Sequence, residues 1–518
     1  MEFITEHLLS LILFTPVLSA VVLMFIAGDQ DKLIRWVALG LSLIPLALSI
    51  FLWVNFNSDQ AGFQFQEQYT WYSPINASYH VGVDGISLTM VLLTTLLTPL
   101  SILASFTIKD RVKTYMVLFF LLEMGMLGVF LSLDLLIFFV FWEFGLVPMY
   151  FLINQWGSEK DTRKIFGREI NARTYASYKF MIYTIAGSLG LLLAIQMIGV
   201  VTGTFDLLEL YRVWPSISEG TLFGVPVVTV KAFAFWAFVV AFAIKVPVWP
   251  FHTWLPDAHT EAPTAGSMIL AGVLLKLGAY GFLRFVLPLY PEESHRYALV
   301  LGFLAVMGII WGAFSAYGQT DFKRLVAYSS VSHMGFVVLG IAAAAYAINT
   351  QDAAIALEGA VLQMFNHGLS AAAMFFLVGV LYERTHTRNL NEYGGLFPLI
   401  PVYGGILIFT SMASLGLPGL NGFISEFLVV RGTWPIFTLF TILSTIGLLF
   451  TGAYILKGIM GVLHGPLNKD WIGHVSEINP REIFVIAPLM VLMLWIGVWP
   501  AWILNVIDKA VIWFYGIY

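Results

Sequence analysis

Cysteine is absent from this sequence of 518 residues, and charged side chains are scarce. Without cysteine the chain can form no disulfide, no thiol nucleophile and no thiolate-held iron–sulfur cluster. Asp, Glu, Lys and Arg together make up 11% of the residues, whereas soluble domains carry about 25%. The glycine-rich fingerprints that bind dinucleotides or nucleoside triphosphates are also missing. We therefore expect no cofactor on this chain, and the net charge of -5 argues against a nucleic-acid partner.

Hydrophobic residues make up 59% of the chain, which is more than a soluble core can bury. Apolar stretches long enough to cross the ~30 Å of a bilayer core recur from end to end. They predict an all-α, polytopic membrane protein of about fourteen transmembrane helices, with residues 1–518 forming a single membrane domain. Two neighbouring spans, 114–133 and 134–154, are separated only at Asp134, and the final span covers 482–515.

Lysines and arginines are distributed unevenly between the predicted loops. When the N-terminus is placed outside, most of the 26 basic residues fall in loops on the inner side, as the positive-inside rule requires. The first residues, MEFITEHLL, carry no basic cluster and so do not resemble a cleaved signal peptide. We expect an integral protein of an energy-transducing membrane, the bacterial cytoplasmic membrane, with both termini on the outer side.

Five charged residues stand near the middle of predicted spans, where charge is costly. They are Glu123, Glu143, Lys245, Lys276 and Glu426. Each costs about 2.5–3.5 kcal/mol at a helix centre on insertion scales, so these side chains must pair, face water, or do both. One interpretation is that they only hold helices together. Five charges of both signs at similar depth favour the other interpretation, which is a path for ions or protons.

Histidines add to this set of ionisable groups. His333 and His367 are both predicted to lie mid-span, and histidine takes and releases protons near neutral pH. The simpler alternative is that each is a hydrogen-bonded contact between helices. His252 and His259, in FHTWLPDAHTEAP, are spaced as a metal pair could be. We expect them instead to cap and bridge a broken helix, and we predict no metal.

Two spans are interrupted by residues that break helices. The first carries Pro247, Pro250, Pro256 and Pro263, and the second carries Gly416, Pro418, Gly419 and Gly422. Helices broken at membrane depth are tolerated only beside protein or water. A pair of them at corresponding places in two halves is typical of transporters built from inverted repeats. We therefore predict a five-helix repeat over 114–286 and a second, inverted five-helix repeat over 297–464.

Several strings in the sequence resemble those of one known family. The string KVPVWPFHTWLPDAHTEAPTAGSMILAGVLLKLGAYG, from Lys245 to Gly281, resembles the signature of the antiporter-like subunits of complex I, the proton-pumping NADH:quinone oxidoreductase. So do VGVDGISL, in which Asp84 is placed to cap a helix, and NGFISEF at 421–427. Within that family the chain most resembles the M type (chain 4 in mitochondrial naming). The length leaves no room for the long lateral helix of the L type, and Glu426 stands where the L and N types have a lysine.

The resemblance implies roles for the charged residues of the first repeat. Glu143 and Lys245 would form a charge pair whose separation changes during the cycle, with Glu123 as a second acid nearby. A nearby anion favours the charged form of a lysine, so moving Glu143 away favours release of the lysine's proton.

The resemblance also implies a lateral relay. Lys276 would be the central proton carrier, and His333 and His367, with water, would lead to Glu426 as the exit group. We expect these groups at similar depth and in that order. The first repeat would connect Lys276 to the inside, and the second would connect Glu426 to the outside, so that no continuous pore forms.

Other functions compete with a proton-translocating subunit of complex I. The chain could belong to a Mrp-type sodium/proton antiporter or to a membrane-bound hydrogenase, although Glu426 argues against the antiporter. A passive scaffold is disfavoured by the charges within the membrane, and a free-standing channel by the lack of a repeated ring of carbonyls or charges. The expected partners are the bilayer, protons and the other membrane subunits of complex I, including sister antiporter-like subunits.

Overall fold

The computed structural model describes residues 5–158, 162–165, 167–222 and 224–515, and most of these residues are helical. The helices of the first half are α1 (Leu8–Met24), α2 (Asp31–Asn55), α3 (Gly85–Ala104), α4 (Val112–Leu131), α5 (Leu135–Trp156), α6 (Ala172–Thr202), α7 (Leu207–Ser216), α8 (Val227–Lys245), α9 (Trp254–Glu261) and α10 (Thr264–Leu289). Helix α5 has an irregular turn at Gly145, and α10 contains two π-helical turns, Leu270–Leu274 and Phe282–Val286.

The helices of the second half follow the same pattern of long apolar segments. They are α11 (Pro291–Tyr317), α12 (Phe322–Tyr346), α13 (Gln351–Thr385), α14 (Pro401–Leu415), α15 (Asn421–Thr433), α16 (Thr438–Leu463), α17 (Pro480–Val498) and α18 (Ala501–Tyr515). Within the described residues, twelve helices are long and apolar enough to cross a membrane, and α1 and α14 are shorter apolar helices. The predicted all-α, polytopic class is confirmed, and the count of fourteen spans stays a prediction.

Strands are confined to short antiparallel hairpins between helices. In the described parts of the chain these are β1 (Gln64–Tyr72) with β2 (Ala77–Val83), β3 (Thr162–Ile165) with β4 (Arg168–Asn171), and β5 (Thr221–Leu222) with β6 (Val225–Pro226). The largest hairpin, β1–β2, packs against α1 through Glu67, whose carboxylate accepts hydrogen bonds from the amide and the hydroxyl of Ser10 at 3.0 and 2.5 Å.

The two ends of the helix bundle differ in charge. We call one the basic end, which holds the loops 25–30, 105–111, 318–321, 386–400 and 464–479 and the described residues 157–158, 162–165 and 167–171. Lysines near the ends of helices hold two of these loops: Lys113 donates to the carbonyl of Ile26 at 2.8 Å, and Lys457 donates to that of Gln319 at 2.7 Å. The opposite end carries the β1–β2 hairpin, α7 and α18.

The predicted separation at Asp134 is confirmed by its cap. Helix α4 ends at Leu131, and the Asp134 carboxylate accepts hydrogen bonds from the amides of Leu136 and Ile137 at 2.8 and 3.1 Å. A side-chain acceptor at this position satisfies amides that have no partner within the helix. The close pair of spans is therefore two helices, α4 and α5.

The predicted final span over 482–515 is wrong. Helix α17 ends at Val498, and α18 begins at Ala501 after Pro500, which cannot continue the hydrogen bonding of a helix. Helix α18 packs on the start of α3, where a Cβ on Gly85 would lie 1.8 Å from the carbonyl oxygen of Val506. The chain therefore turns at the opposite end of the bundle rather than continuing as one long helix.

Both predicted helix breaks are confirmed. The chain is non-helical between Lys245, the last residue of α8, and Trp254, the first residue of α9. A second break separates α14 from α15, and there Gly416 and Gly419 have φ angles of 81° and 94°. Glycine adopts this left-handed region without steric cost. The glycines from which the break was predicted therefore stand where the backbone has a conformation that favours glycine.

Candidate functional site

A row of buried polar groups joins α10, α13, α12 and α15 in the interior of the bundle. The ammonium Nζ of Lys276 lies 2.7 Å from Nδ1 of His367, and Nδ1 of His333 lies 2.8 Å from Oε1 of Glu426. Lys276 is fully buried, and the other three residues are at most 5% exposed. The structure thus brings four of the predicted site residues into one row, and neither Lys276 nor Glu426 faces the outside of the chain.

The backbone of α10 helps to hold Lys276. Its ammonium also donates a hydrogen bond to the carbonyl of Ala271, five residues earlier and within the first π-helical turn. A π turn shifts the hydrogen-bonding pattern of the helix and is frequent at functional sites. The carbonyl and His367 together provide two acceptors for a cation that would otherwise be unpartnered in an apolar interior.

Glu426 has a second partner that the sequence did not indicate. The amide Nε2 of Gln363 donates to Oε1 of Glu426 at 3.1 Å, and the hydroxyl of Ser425 donates to the amide oxygen of Gln363 at 2.5 Å. Gln363 precedes His367 by one helical turn on α13, so the two side chains share a face. That spacing is a signal that could have identified Gln363 from the sequence.

The row is discontinuous between the two histidines. Their rings lie 5.7 Å apart between centroids, and Nε2 of His367 is buried without a hydrogen-bond partner. The other ring nitrogen of His333, Nε2, lies 3.1 Å from the hydroxyl of Tyr454 on α16. The row therefore consists of two hydrogen-bonded groups, Lys276 with His367 and Glu426 with His333. They adjoin at the two imidazole rings, and no hydrogen bond joins them there.

Glu143 and Lys245, which the resemblance implied to be a charge pair of changing separation, are not in direct contact in this structure. Oε1 of Glu143 and Nζ of Lys245 are both buried without a hydrogen-bond partner, and no ion pair joins them. The Lys245 ammonium lies instead over the ring of Trp142, 4.9 Å from its centroid. Glu123 is also fully buried, with neither carboxylate oxygen hydrogen-bonded.

Glycines fix how closely the helices that carry these charges approach. A Cβ on Gly125 would lie 2.8 Å from Cα and N of Gly145, which brings α4 and α5 into backbone contact. A Cβ on Gly278 would lie 2.9 Å from Cβ of Lys245, which brings α10 against the end of α8. Real Cβ contacts are not this short, so a side chain at either position would push the charged residues apart.

The helix cap predicted at Asp84 is confirmed, and it is also half of a buried ion pair. Its Oδ1 accepts hydrogen bonds from the amides of Ile86 and Ser87 at 3.1 and 2.9 Å. The same oxygen accepts a 2.6 Å hydrogen bond from Arg284, whose side chain, like that of Asp84, is 1% exposed. Arg284 lies in the second π-helical turn of α10.

The expected bridging role of His252 and His259 is wrong. Nδ1 of His252 and both ring nitrogens of His259 are buried without a hydrogen-bond partner, and His259 stacks on Phe375 at 4.3 Å between centroids. Asp257 bridges this region instead, because its carboxylate binds three cations. These are Arg163 at 2.8 Å, Lys179 at 2.8 Å and Arg324 at 3.3 Å. Among the described residues, no group of three His, Asp or Glu side chains is arranged to hold a metal.

Comparisons with known proteins agree with this architecture. Residues 132–451 match the family described as "NADH:quinone oxidoreductase/Mrp antiporter, TM". The chain is 39% identical to NADH-quinone oxidoreductase subunit M of Rhodobacter capsulatus over 516 residues, which are 98% of this chain and 96% of that protein.

Two solved structures are also similar. One is a chain of respiratory complex I from Thermus thermophilus with bound NADH, with a TM-score of 0.84 and 26% identity over 98% of this chain and 99% of that chain. The other is a chain of the Mrp complex from Dietzia sp. DQ12-45-1b, with a TM-score of 0.82 over 98% of this chain and 97% of that chain; at 20% identity this likeness concerns the fold.

Proposed function

The chain belongs to the transmembrane family of NADH:quinone oxidoreductases and Mrp antiporters, and we propose that it is the M-type subunit of a bacterial NADH:quinone oxidoreductase, which moves protons outward across the cytoplasmic membrane. It is an integral membrane protein whose partners are the other membrane subunits of that complex. The chain itself carries no redox centre in this proposal, and electron transfer takes place on other subunits.

The observation that carries the proposal is the buried row from Lys276 to Glu426. A charge within a membrane protein is stabilised by partners or water and marks an ion or proton pathway by default. Here a lysine, two histidines and a glutamate lie in contact or close to it, and each can exchange a proton. Protons would move from Lys276 through the histidines to Glu426, and the contact between the two rings requires water or a rotation of one ring.

Glu143, Lys245 and Glu123 would control the charge on this row. The end of α8 at Lys245 packs on α10, the helix that carries Lys276, as the close contact at Gly278 requires. A positive charge on Lys245 would favour release of a proton from Lys276, because like charges repel strongly where water is scarce. A movement of Glu143 relative to Lys245 would therefore change the charge on Lys245, and with it the release of a proton from Lys276.

The same proposal includes the two inverted repeats over 114–286 and 297–464. Each contains a broken helix with a charged residue beside the break, which is Lys245 in the first repeat and Glu426 in the second. Inverted repeats allow one half to open to one side of the membrane and the other half to the other side. Such an arrangement would move protons without a continuous pore.

Family membership alone does not separate an oxidoreductase subunit from an antiporter subunit. The curated relative that is 39% identical over nearly the whole chain is an oxidoreductase subunit, whereas the Mrp chain is 20% identical. The acid at Glu426 agrees with the M type of complex I. We therefore favour the oxidoreductase over a Mrp-type antiporter or a membrane-bound hydrogenase.

The membrane complex itself provides the test of this assignment. When the chain is purified from mild detergent through an affinity tag, we expect NADH dehydrogenase and quinone-binding subunits to co-purify, and the vesicles from which it comes to take up protons on addition of NADH. Mass spectrometry of the purified complex identifies the subunits. Co-purification with cation-antiporter subunits, and without NADH oxidation, would refute the assignment.

Orientation is tested separately, with reporter enzymes fused to the C-terminus. We expect a reporter that is active only outside the cytoplasm to be active in this fusion, because the basic end then faces the cytoplasm as the positive-inside rule requires. The matched control is a fusion in the loop 464–479 at the basic end, which should show the reverse activity. Activity of a cytoplasmic reporter at the C-terminus would contradict the orientation.

A further inference from the structure

Tyr454 is a buried tyrosine that the row described above does not use. It lies on α16, is 1% exposed, and its hydroxyl is 3.1 Å from Nε2 of His333. Lys457, one turn further along α16, donates to the carbonyls of the loop at Gln319, which places this part of the helix near the basic end. Tyr454 thus lies between His333 and the basic end of the bundle.

A small cavity continues from Tyr454 towards the basic end. Its volume is about 20 Å³, and most of its wall is apolar, but Tyr454, Ser329, Ser411 and Ser414 contribute hydroxyl groups to it. A space of at least about 10–15 Å³ with two to four polar partners can hold one water molecule. Phe322, at the start of α12, lines the other end of this cavity. The cavity therefore has room for one water molecule between the basic end and Tyr454.

The hydrogen bonds around His333 give this path a direction. A neutral imidazole donates through one nitrogen and accepts through the other. A carboxylate can only accept, so the proton of the ring lies on Nδ1, towards Glu426, when Glu426 is ionised. Nε2 is then an acceptor, and Tyr454 must be its donor. Every donor in the series from the cavity through Tyr454 and His333 then points towards Glu426.

We propose that Tyr454 and the cavity beside it form a proton inlet that charges Glu426 from the basic end, independently of the lateral route through Lys276 and His367. This inference rests on the proposed function and changes one part of it: the second repeat then opens to the basic end through Tyr454 as well as to the outside from Glu426, so these two openings must alternate. His333 is the point where the two routes meet, since its Nδ1 contacts Glu426, its Nε2 contacts Tyr454 and its ring lies next to His367.

The transfer balances as three proton steps. A hydronium ion in the cavity gives a proton to the Tyr454 oxygen, and the original tyrosine proton passes to Nε2 of His333. The proton on Nδ1 then passes to the carboxylate of Glu426. In sum, hydronium and carboxylate become water and carboxylic acid. The ring is left with its proton on Nε2, so a second proton cannot follow until the Nδ1–H form is restored.

Access of water to the cavity can be measured directly, because the chain has no cysteine of its own. We would introduce Ser329→Cys in the whole complex and treat membrane vesicles of both orientations with a small, water-soluble thiol reagent. The thiolate is the form that attacks such a reagent, and it forms only where water reaches the sulfur, so labelling should be about tenfold faster than for a dry control. The label is read on this subunit after separation from the others.

Two further cysteine variants serve as the controls for that measurement. Ser332→Cys is the dry control, because the Ser332 hydroxyl is fully buried and donates to the carbonyl of Ile309 on a neighbouring helix. Ser476→Cys, in an exposed loop at the basic end, is the accessible control. We expect the cysteine at 329 to react from the same side as the one at 476. Reaction as slow as that at 332, or only from the other side, would overturn the inlet.

Tyr454→Phe tests whether the hydroxyl carries protons. The ring and its packing are kept, so we expect the complex to assemble and NADH oxidation in the presence of an ionophore to be unchanged, while proton translocation falls by about threefold or more, as for loss of a proton-transfer group. Normal translocation in this variant refutes the inlet and leaves the lateral row standing. Normal translocation in both this variant and His367→Phe would instead contradict the proposed function.

Discussion

Replacement of Glu143 by alanine is expected to reduce proton translocation by about 100-fold, the lower end of what groups that assist a proton transfer contribute, while the complex still assembles. The carboxylate is half-buried, and neither its buried oxygen nor the Lys245 ammonium has a hydrogen-bond partner. The Lys245 ammonium is therefore stabilised mainly by the field of the acid and by the face of Trp142. Without the acid, a charged Lys245 would cost about 2.5–3.5 kcal/mol at this depth, so the lysine loses its proton and no longer acts on Lys276.

The measurement is proton uptake by inverted vesicles, followed with a pH-sensitive dye and compared with the rate of NADH oxidation. Glu143→Asp should keep part of the activity, because it keeps the charge at a shorter reach. Glu169→Ala is a matched control, because that carboxylate is 62% exposed and lies 3.7 Å from Lys164 in a surface hairpin. Full translocation by Glu143→Ala would show that the acid has no role in pumping.

Asp84→Ala is expected to have the largest effect on stability. The substitution leaves the Arg284 guanidinium buried without its anion, which costs about 3–5 kcal/mol. It also removes the cap of α3, which contributes about 0.5–2 kcal/mol. Native proteins are stable by about 5–15 kcal/mol, so the subunit should be nearly absent from the assembled complex. The measurement is the amount of subunit in the membrane and in the intact complex on native gels.

A double variant separates charge from packing at this site. Asp84→Asn keeps a capping side chain, and Arg284→Met keeps an apolar chain of similar length without the charge. Replacing a buried ion pair by uncharged groups is often neutral, whereas removing one partner is not. Assembly should therefore be largely restored when both substitutions are combined. Normal assembly of Asp84→Ala alone, or failure of the double variant to recover, would contradict this account.

The membrane class, the helix breaks and the buried charges could all be predicted from the sequence, because each depends on local composition. Mid-span charges such as Lys276 are unmistakable against an apolar background, and a proline or glycine cluster breaks a helix wherever it lies. The failure at 482–515 has a related cause. Helix α18 is apolar like the helices long enough to span a membrane, so hydropathy did not reveal the turn at Pro500.

Contacts between distant helices could not be predicted in the same way. Tyr454 and His333 are 121 residues apart, and the tyrosine resembles many others that the sequence places near the membrane interface. Arg284 and Asp84 are 200 residues apart, so nothing local marks them as partners. The distance between Glu143 and Lys245 also depends on how their helices pack. The resemblance indicated that the two residues act together, but it did not indicate how far apart they lie.

The two glycine contacts have a mechanical consequence. Backbone contact at Gly125 and Gly145 ties α4 to α5, so Glu123 and Glu143 must move as one body. Contact at Gly278 ties α10 to the end of α8, so Lys245 and Lys276 must move as another. The seam between the two bodies is made of aromatic rings, with Phe138 and Trp142 against Phe242 at 6.2 and 5.4 Å between centroids. Rings have no directional bonds to break when they slide, so a small shear along this seam changes the distance from acid to lysine while both bodies stay rigid.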